Sequence, residues 1–393
     1  VPGVPAWAAD GRLVWTADID DTRRLLVSPP GPETVPVTPP GLQVRGVLGV
    51  DGDTVLFQAS AEPTQIELWT YGPGGLSRIG EGGGVEAGTR AGGITVISRR
   101  GLDDDGVTVQ VYRDSMLATT LASRAERPAL PAPRPVLFGA GPREIRTAVL
   151  FPSWHQPGQR KLPVLLDPYG GPHAQRVLKA RAAYLTSQWF AEQGFAVVIA
   201  DGRGTPGRGP DWDRAVWHDL ADPVLEDQVT ALYAAAERHE DLDLSRVAIR
   251  GWSFGGYLAA LAVLRRPDVF HAAVAGAPVT DWRLYDTHYT ERYLGLPGSN
   301  AEAYDRSGLI LLAERSVVSP RPLMLIHGLA DDNVVVAHTL RLSAALLAAG
   351  YPHEVLPLTG ITHMASQETV AENLLLLQLD FLRHALGAII RSG

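Results

Sequence analysis

A serine between glycines, at the junction of a strand-like and a helix-like run, constrains this chain more than any other feature. The segment reads Gly-Trp-Ser-Phe-Gly-Gly-Tyr at 251–257. A short β-prone run at 247–250 precedes it, and an apolar run typical of a helix follows at 258–264. A serine held on so tight a turn leaves no room for side chains two residues away, which accounts for the glycines. The pattern predicts a nucleophile at Ser253.

Composition excludes several classes of protein and site. The 393 residues exceed the usual size of one domain, so two domains are expected. The chain has no cysteine, which excludes disulfides, thiolate nucleophiles and cysteine-ligated metals. A net charge of −8 argues against nucleic acid as a partner. Because no apolar run approaches the roughly 18 residues of a membrane span, no membrane partner is expected.

The first residues of the chain bear on the cellular compartment of the protein. Nothing in it resembles a signal peptide, which favours the cytoplasm. The chain opens with Val1 rather than Met and runs directly into strand-like sequence. The true start of the protein is therefore expected upstream, and the compartment stays open.

Residues 1–135 read as all-β and repeat. Strand cores at 13–15, 55–57 and 95–97 are each followed by a second strand-like run, and the units recur about every 40 residues, the spacing of propeller blades. About three blades fall short of the roughly four to eight that close a propeller. We therefore expect a partial, truncated β-propeller, with a small open β-domain as the alternative.

A proline-rich connector at 127–135 marks the domain boundary. Beyond it, short buried strands alternate with helical stretches, expected at 177–193, 224–238, 256–266, 337–348 and 370–386. This alternation predicts a mostly parallel sheet covered by helices on both faces. We assign 136–393 to this α/β domain, with catalytic groups on loops at the carboxyl ends of its strands.

Two further loops of this domain carry partners for Ser253. The strand at 323–326 runs into Asp331 and Asp332, and the strand at 354–358 runs into His363. Serine, then aspartate, then histidine is the chain order of α/β-hydrolases. Serine is a weak nucleophile that needs a general base, and the histidine needs a carboxylate to fix its tautomer. Spacing alone does not separate Asp331 from Asp332.

The other histidines are weaker candidates for the catalytic base. His327 lies closer to the strand end and fits a packed structural residue. Surface or supporting roles suit the remaining candidates, which are His173, His288, His338, His353 and His384.

Acyl transfer also needs hydrogen-bond donors aimed at the developing oxyanion. The backbone N–H of Phe254, directly after the nucleophile, is one. The other is expected from the loop Asp-Pro-Tyr-Gly-Gly-Pro at 167–172, where Tyr169 offers a hydroxyl and glycines allow close approach. The alternative for Tyr169 is a packing role beside a turn.

Together these residues resemble the prolyl oligopeptidase family of serine peptidases, and within it the dipeptidyl peptidase IV branch. The resemblance covers 136–393 and includes the segment Ala-Asp-Asp-Asn-Val at 330–334, in which it makes the first aspartate, Asp331, catalytic. It also assigns the side-chain half of the oxyanion hole to Tyr169.

The resemblance extends to a substrate pocket. The string at 277–293, rich in tyrosine and tryptophan, is similar to the segment that lines a compact S1 pocket for proline or alanine. It implies that Asn333 binds the carbonyl of the preceding substrate residue. The implied pocket lining is Val279, Trp282, Tyr285, Tyr289, Val334 and Phe254.

One departure from the branch concerns the substrate's free amine, which its dipeptidyl peptidases bind with paired glutamates on the propeller. Residues 1–135 contain no Glu-Glu pair. If present, such glutamates lie upstream of Val1. The exopeptidase assignment therefore rests on the resemblance to the branch, whereas the serine-peptidase assignment rests on residues present in this sequence.

These observations predict a serine peptidase that hydrolyses peptide bonds after proline or alanine near the N-terminus of oligopeptides, through an acyl-enzyme. No metal or organic cofactor is expected, and the expected partner is a peptide substrate. A homodimer or a missing upstream propeller portion stays open. The alternatives are an oligopeptidase, acylaminoacyl-peptidase or carboxylesterase of the same fold, or an inactive propeller-based binding module.

Overall fold

The chain forms two compact units in a computed structural model that describes residues 4–28, 34–313 and 319–387. The first unit comprises Val1–Arg134 together with Val177–Leu185 and Pro206–Asp213. The second comprises Pro135–Arg176, Thr186–Thr205 and Arg214–Gly393.

The first unit contains three four-stranded antiparallel sheets in its described part. Strands follow one another across each sheet in chain order. They are β1 (Ala6–Trp7), β2 (Leu13–Ile19), β3 (Thr22–Ser28), β4 (Val35–Pro36), β5 (Gln43–Asp51), β6 (Thr54–Ser60), β7 (Glu67–Gly72), β8 (Gly75–Arg78), β9 (Val85–Ala91), β10 (Ile94–Arg100), β11 (Thr108–Arg113) and β12 (Met116–Leu121).

Tight turns set the register of these sheets. Asp20 and Asp21 join β2 to β3, and Gly92 and Gly93 join β9 to β10. All four residues have positive φ, between 48° and 78°. Two such residues in succession give the type I′ hairpin, whose twist matches that of the flanking strands.

The middle sheet is covered on both faces. Leu56 and Phe57 are neighbours on β6, so their side chains point to opposite faces. Phe57 packs with Val14 and Leu25 of the first sheet, whereas Leu56 packs with Ile97 of the third. Successive four-stranded sheets stacked face to face are the blade packing of a β-propeller, as the sequence predicted.

The second unit is built on one eight-stranded sheet of order β13-β14-β16-β15-β17-β18-β19-β20. Strand β14 pairs antiparallel with both of its neighbours, β13 and β16, and the last six strands are parallel. The strands are β13 (Val136–Ala140), β14 (Ile145–Leu150), β15 (Leu162–Leu166), β16 (Ala196–Asp201), β17 (Leu242–Trp252), β18 (Ala272–Gly276), β19 (Leu323–Gly328) and β20 (Glu354–Leu358).

Helices connect the parallel strands. They are α1 (Leu185–Glu192), α2 (Pro210–Arg214), α3 (Asp222–Arg238), α4 (Phe254–Arg265), α5 (Thr287–Leu294), α6 (Ala301–Ser307), α7 (Ile310–Ala313), α8 (Ala337–Ala348) and α9 (Glu368–Ala385), with 3-10 turns at Arg181–Tyr184 and Trp282–Leu284. Every residue of β15, β16 and β18 is buried, as expected for parallel strands covered on both faces. The predicted α/β-hydrolase sheet is confirmed.

Some helix boundaries differ from expectation. The helical run expected at 177–193 begins only as a 3-10 turn at Arg181, and its first residues belong to the first unit. Helices α5 to α7 lie between β18 and β19, where no helix was expected. Within the described ranges, no helix combines the length and apolar character that crossing a bilayer requires.

Candidate active site

Ser253 lies on a sharp turn between β17 and α4. Its φ of 59° is in the left-handed region, a strained conformation for a residue with a side chain. A Cβ on Gly251 would lie 2.3 Å from backbone atoms of Gly255, and one on Gly255 would lie 2.7 Å from the carbonyl oxygen of Pro168. Both positions therefore require glycine if the turn is to form.

His363 and Asp331 meet directly. His363 Nδ1 lies 2.8 Å from Asp331 Oδ2. The other carboxylate oxygen of Asp331 accepts hydrogen bonds from the backbone N–H groups of Asn333 at 3.0 Å and Val334 at 2.9 Å. Asp331 is 6% exposed, whereas Asp332 is exposed to solvent. The structure thus places Asp331, and not its neighbour, against the histidine.

A tryptophan links the histidine loop to the serine turn. The indole Nε1–H of Trp252 donates to the carbonyl oxygen of His363 at 2.7 Å. Since Trp252 directly precedes Ser253, this bond brings the histidine loop alongside the turn. No pattern in the sequence predicts this role, because the variable position of a Gly-x-Ser-x-Gly motif accepts many residues.

His327 is buried behind this pair. Its Nε2 donates to the carbonyl oxygen of Val334 at 2.7 Å, so its Nδ1 accepts from the hydroxyl of Thr339, also at 2.7 Å. Burial holds the pKa of His327 below its usual value, which favours the neutral ring. The residue is fully enclosed, in keeping with the packed role that its position suggested.

The loop after β15 packs closely on the start of α4. A Cβ on Gly171 would lie 2.2 Å from the ring of Phe254, so glycine is required for this approach. The rings of Tyr169 and Phe254 lie 5.9 Å apart. Burial raises the pKa of Tyr169 to about 12, so its hydroxyl keeps its proton near neutral pH.

An aromatic cluster adjoins this loop. Trp282 and Tyr289 stack with their ring centroids 6.0 Å apart and their planes 4° from parallel. Tyr285 meets Tyr289 edge-on at 5.3 Å, and Phe254 lies 5.8 Å from Trp282. Val279 and Val334 are buried in the same core. The predicted pocket residues therefore lie together.

Asn333 lies at the edge of this cluster. Its side-chain oxygen accepts a hydrogen bond from the hydroxyl of Tyr285 at 3.0 Å, and the residue is exposed. That bond uses the amide oxygen, so the N–H₂ group is the remaining donor of this side chain.

His173, for which only a surface or supporting role was expected, makes specific contacts beside the candidate site. His173 adopts a φ of 77° in the loop that carries Tyr169. Its Nε2 lies 3.0 Å from the hydroxyl of Tyr293, and its ring lies 5.0 Å from that of Tyr289. Burial lowers the pKa of His173. A single histidine among glycine and proline offers no periodicity that predicts these contacts.

This arrangement has the parts that acyl transfer needs. A serine on a strained turn lies beside a histidine loop, and a buried carboxylate orients the histidine ring. The start of α4 and a protonated tyrosine supply candidate oxyanion donors. The aromatic cluster adds an apolar wall beside these groups.

Comparison with known proteins identifies the family of the chain. The model of the prolyl oligopeptidase family matches residues 182–388. Human dipeptidyl peptidase 8 is 38% identical over 239 residues, which is 60% of this chain and 26% of that protein. Human prolyl endopeptidase FAP is 38% identical over 194 residues, 48% of this chain and 25% of that protein. The matched region thus spans about a quarter of these relatives.

A solved structure shares the architecture of the chain. The crystal structure of Porphyromonas gingivalis dipeptidyl peptidase 4 superposes with a TM-score of 0.89 at 25% identity, covering 97% of this chain and 56% of that one. The family model covers more than half of this sequence. The chain therefore belongs to the prolyl oligopeptidase family.

Proposed function

We propose that the protein is a serine peptidase that hydrolyses peptide bonds through an acyl-enzyme on Ser253. The observation that carries the proposal is the short Asp331–His363 contact beside the strained serine turn. Burying the carboxylate of Asp331 costs free energy, and so does the left-handed backbone at Ser253. A site that keeps both features fits nucleophilic catalysis.

The proposed reaction proceeds in two stages. His363 Nε2 takes the proton of Ser253 Oγ while that oxygen attacks the scissile carbonyl carbon. Asp331 stabilises the imidazolium, which then gives its proton to the leaving amine as the C–N bond breaks. In the second stage water attacks the acyl-enzyme, the same histidine accepts its proton, and the serine hydroxyl is regenerated.

The oxyanion is proposed to bind between two donors. The Phe254 N–H belongs to the first turn of α4, where backbone N–H groups have no partner within the helix. The Tyr169 hydroxyl is the second proposed donor, and its raised pKa keeps it protonated near neutral pH. The proposal requires both donors to be held in position before substrate binds, so that little reorganisation is needed during the reaction.

The aromatic cluster supports a preference for proline or alanine before the cleaved bond. A pyrrolidine ring presents flat apolar faces and no N–H, which suits a slot walled by Trp282, Tyr285 and Tyr289. The amide of Asn333 is proposed to bind the preceding substrate carbonyl. Cleavage near the N-terminus is supported by the names of the relatives, two of which are dipeptidyl peptidases.

The nucleophile is tested with a fluorophosphonate probe, which labels activated serines. The native protein should be labelled once per chain. Ser253→Ala should abolish both labelling and peptide turnover, the latter by a factor of about 10⁴ or more, because no other hydroxyl occupies the turn. Labelling that persists in Ser253→Ala, or that is absent from the folded native protein, would contradict the proposal.

Adjacent aspartates offer a matched test of the acid. Asp331→Asn should lower kcat by about 10⁴-fold, since an amide at this position holds the wrong histidine tautomer. Asp332→Asn removes the same charge one residue away on an exposed side chain and should leave kcat within about threefold. Steady-state kinetics on one chromogenic peptide measures both. Equal losses in the two variants would remove Asp331 from the proposed triad.

Tyr169→Phe removes only a hydroxyl. It should lower kcat by about 10²- to 10³-fold with little change in KM, because the oxyanion exists only after attack. In the native enzyme, a pKa of about 12 means that Tyr169 loses its proton only well above pH 10, so it should cause no loss of kcat between pH 7 and 10. An unchanged kcat in Tyr169→Phe would assign this residue to packing.

A panel of chromogenic substrates tests specificity. The proposal predicts the highest kcat/KM for Gly-Pro, lower values for N-acyl-Ala and the lowest for short-chain esters. Free and N-blocked Gly-Pro should differ if the enzyme binds the substrate's amine. A preference for N-acyl-Ala or for esters would instead support an acylaminoacyl-peptidase or a carboxylesterase.

A further inference from the structure

A buried ionic network behind the candidate site is centred on Asp167. One carboxylate oxygen accepts a hydrogen bond from Nη1 of Arg250 at 2.7 Å. The other accepts from Nη2 of Arg176 at 3.0 Å and from the hydroxyl of Ser187 at 2.7 Å. Asp167 is 1% exposed. Burying such charges often gives little net stability, so the network invites a functional explanation.

The network lies where the pairing of two neighbouring strands ends. Parallel pairing between β15 and β17 ends at Leu166 opposite Ile249. Asp167 directly follows β15, and Arg250 is the next residue of β17. Beyond them, one segment reaches Tyr169 after two residues, and the other reaches Phe254 after four. The Asp167–Arg250 ion pair therefore joins the segments just before each presents its oxyanion donor.

The surroundings fix both side chains. Nε of Arg250 donates to the side-chain oxygen of Gln378 at 3.2 Å, and its guanidinium lies 4.6 Å from the ring centroid of Phe190. Burial alone would raise the pKa of Asp167, but the charges of Arg176 and Arg250 hold that pKa below its ordinary value. The carboxylate thus stays ionised and keeps its hydrogen bonds.

We propose that Asp167 and Arg250 are positioning residues that set the spacing between the Tyr169 hydroxyl and the Phe254 N–H. This inference rests on the proposed function, because it assumes that both groups bind an oxyanion. The two donors lie on different segments, so their spacing depends on what joins those segments. A displacement of about 1 Å in such a site can cost about 10²-fold in rate.

A purely structural role makes a different prediction. Loss of a buried ion pair would then lower stability without selectively lowering kcat. A positioning role lowers kcat while leaving KM nearly unchanged, because the ground-state substrate does not use the oxyanion hole. A positioning role also makes the loss of kcat depend on the presence of the Tyr169 hydroxyl as a hydrogen-bond donor.

The chain offers a matched control. Arg203, two residues beyond β16, contacts Asp227 at 2.9–3.1 Å, and its side chain is 15% exposed compared with 13% for Arg250. Arg203→Met removes an equally buried arginine from a fully buried carboxylate, and the other side-chain hydrogen bonds that the structure describes for Arg203 go to Pro223 and Glu226 rather than to the Tyr169 or Phe254 segment.

The experiment measures kcat, KM and thermal unfolding for Arg250→Met, Asp167→Asn, Ser187→Ala and Arg203→Met with the best chromogenic peptide. Arg250→Met and Asp167→Asn should lower kcat by about 10- to 100-fold with KM within about threefold of native. Ser187→Ala, which removes the hydrogen bonds of this hydroxyl to Asp167 and Arg176 and no charge, should lower kcat by about threefold or more. Arg203→Met should lose stability but keep its kcat.

A double-mutant cycle isolates the mechanism. In a Tyr169→Phe background, Asp167→Asn should cost less than about threefold in kcat, because the donor that it positions is already missing. Fully additive losses, or equal kcat in Arg250→Met and Arg203→Met, would overturn the inference.

The Ser187→Ala variant tests the inference if Arg250→Met and Asp167→Asn fail to fold. An unchanged kcat in Ser187→Ala would then overturn it. A native protein that neither reacts with the fluorophosphonate nor cleaves peptides would instead refute the proposed function.

Discussion

The left-handed backbone at Ser253 is the constraint on which the rest of the candidate site depends. A serine at a φ of 59° is stable only where its surroundings hold it. Here the backbone approaches Gly255 so closely that Gly251 has no space for a Cβ, and the N–H of Ser253 donates to the carbonyl of Gly276 at 2.8 Å. The turn is thus anchored to the end of β18.

The parallel sheet brings the other groups to this turn. Strands β15, β17, β19 and β20 run in one direction, so the loops that carry Tyr169, Ser253, Asp331 and His363 leave the same edge. Short contacts then fix the details, including the Trp252 bond to the His363 carbonyl. The same logic places the Asp167–Arg250 pair where two of these segments separate.

Much of this could be predicted from the sequence, because the signals were local. The alternation of strands and helices predicted the sheet, and strand ends predicted the loops that carry Ser253, Asp331 and His363. Asp331 and Asp332 could not be separated by spacing, since only burial and two backbone N–H donors distinguish them. The contacts of Trp252, His173 and Arg250 join residues far apart in the chain, so no periodicity reveals them.

The most direct test of the central claim is to trap the acyl-enzyme. A chromogenic ester or peptide is mixed with the protein, the reaction is quenched in acid within the first turnover, and the digested protein is analysed by tandem mass spectrometry. We predict one acyl group per chain, on Ser253, together with an initial burst of chromophore of the same amplitude. Turnover without any acyl adduct, or an adduct on another residue, would contradict the account.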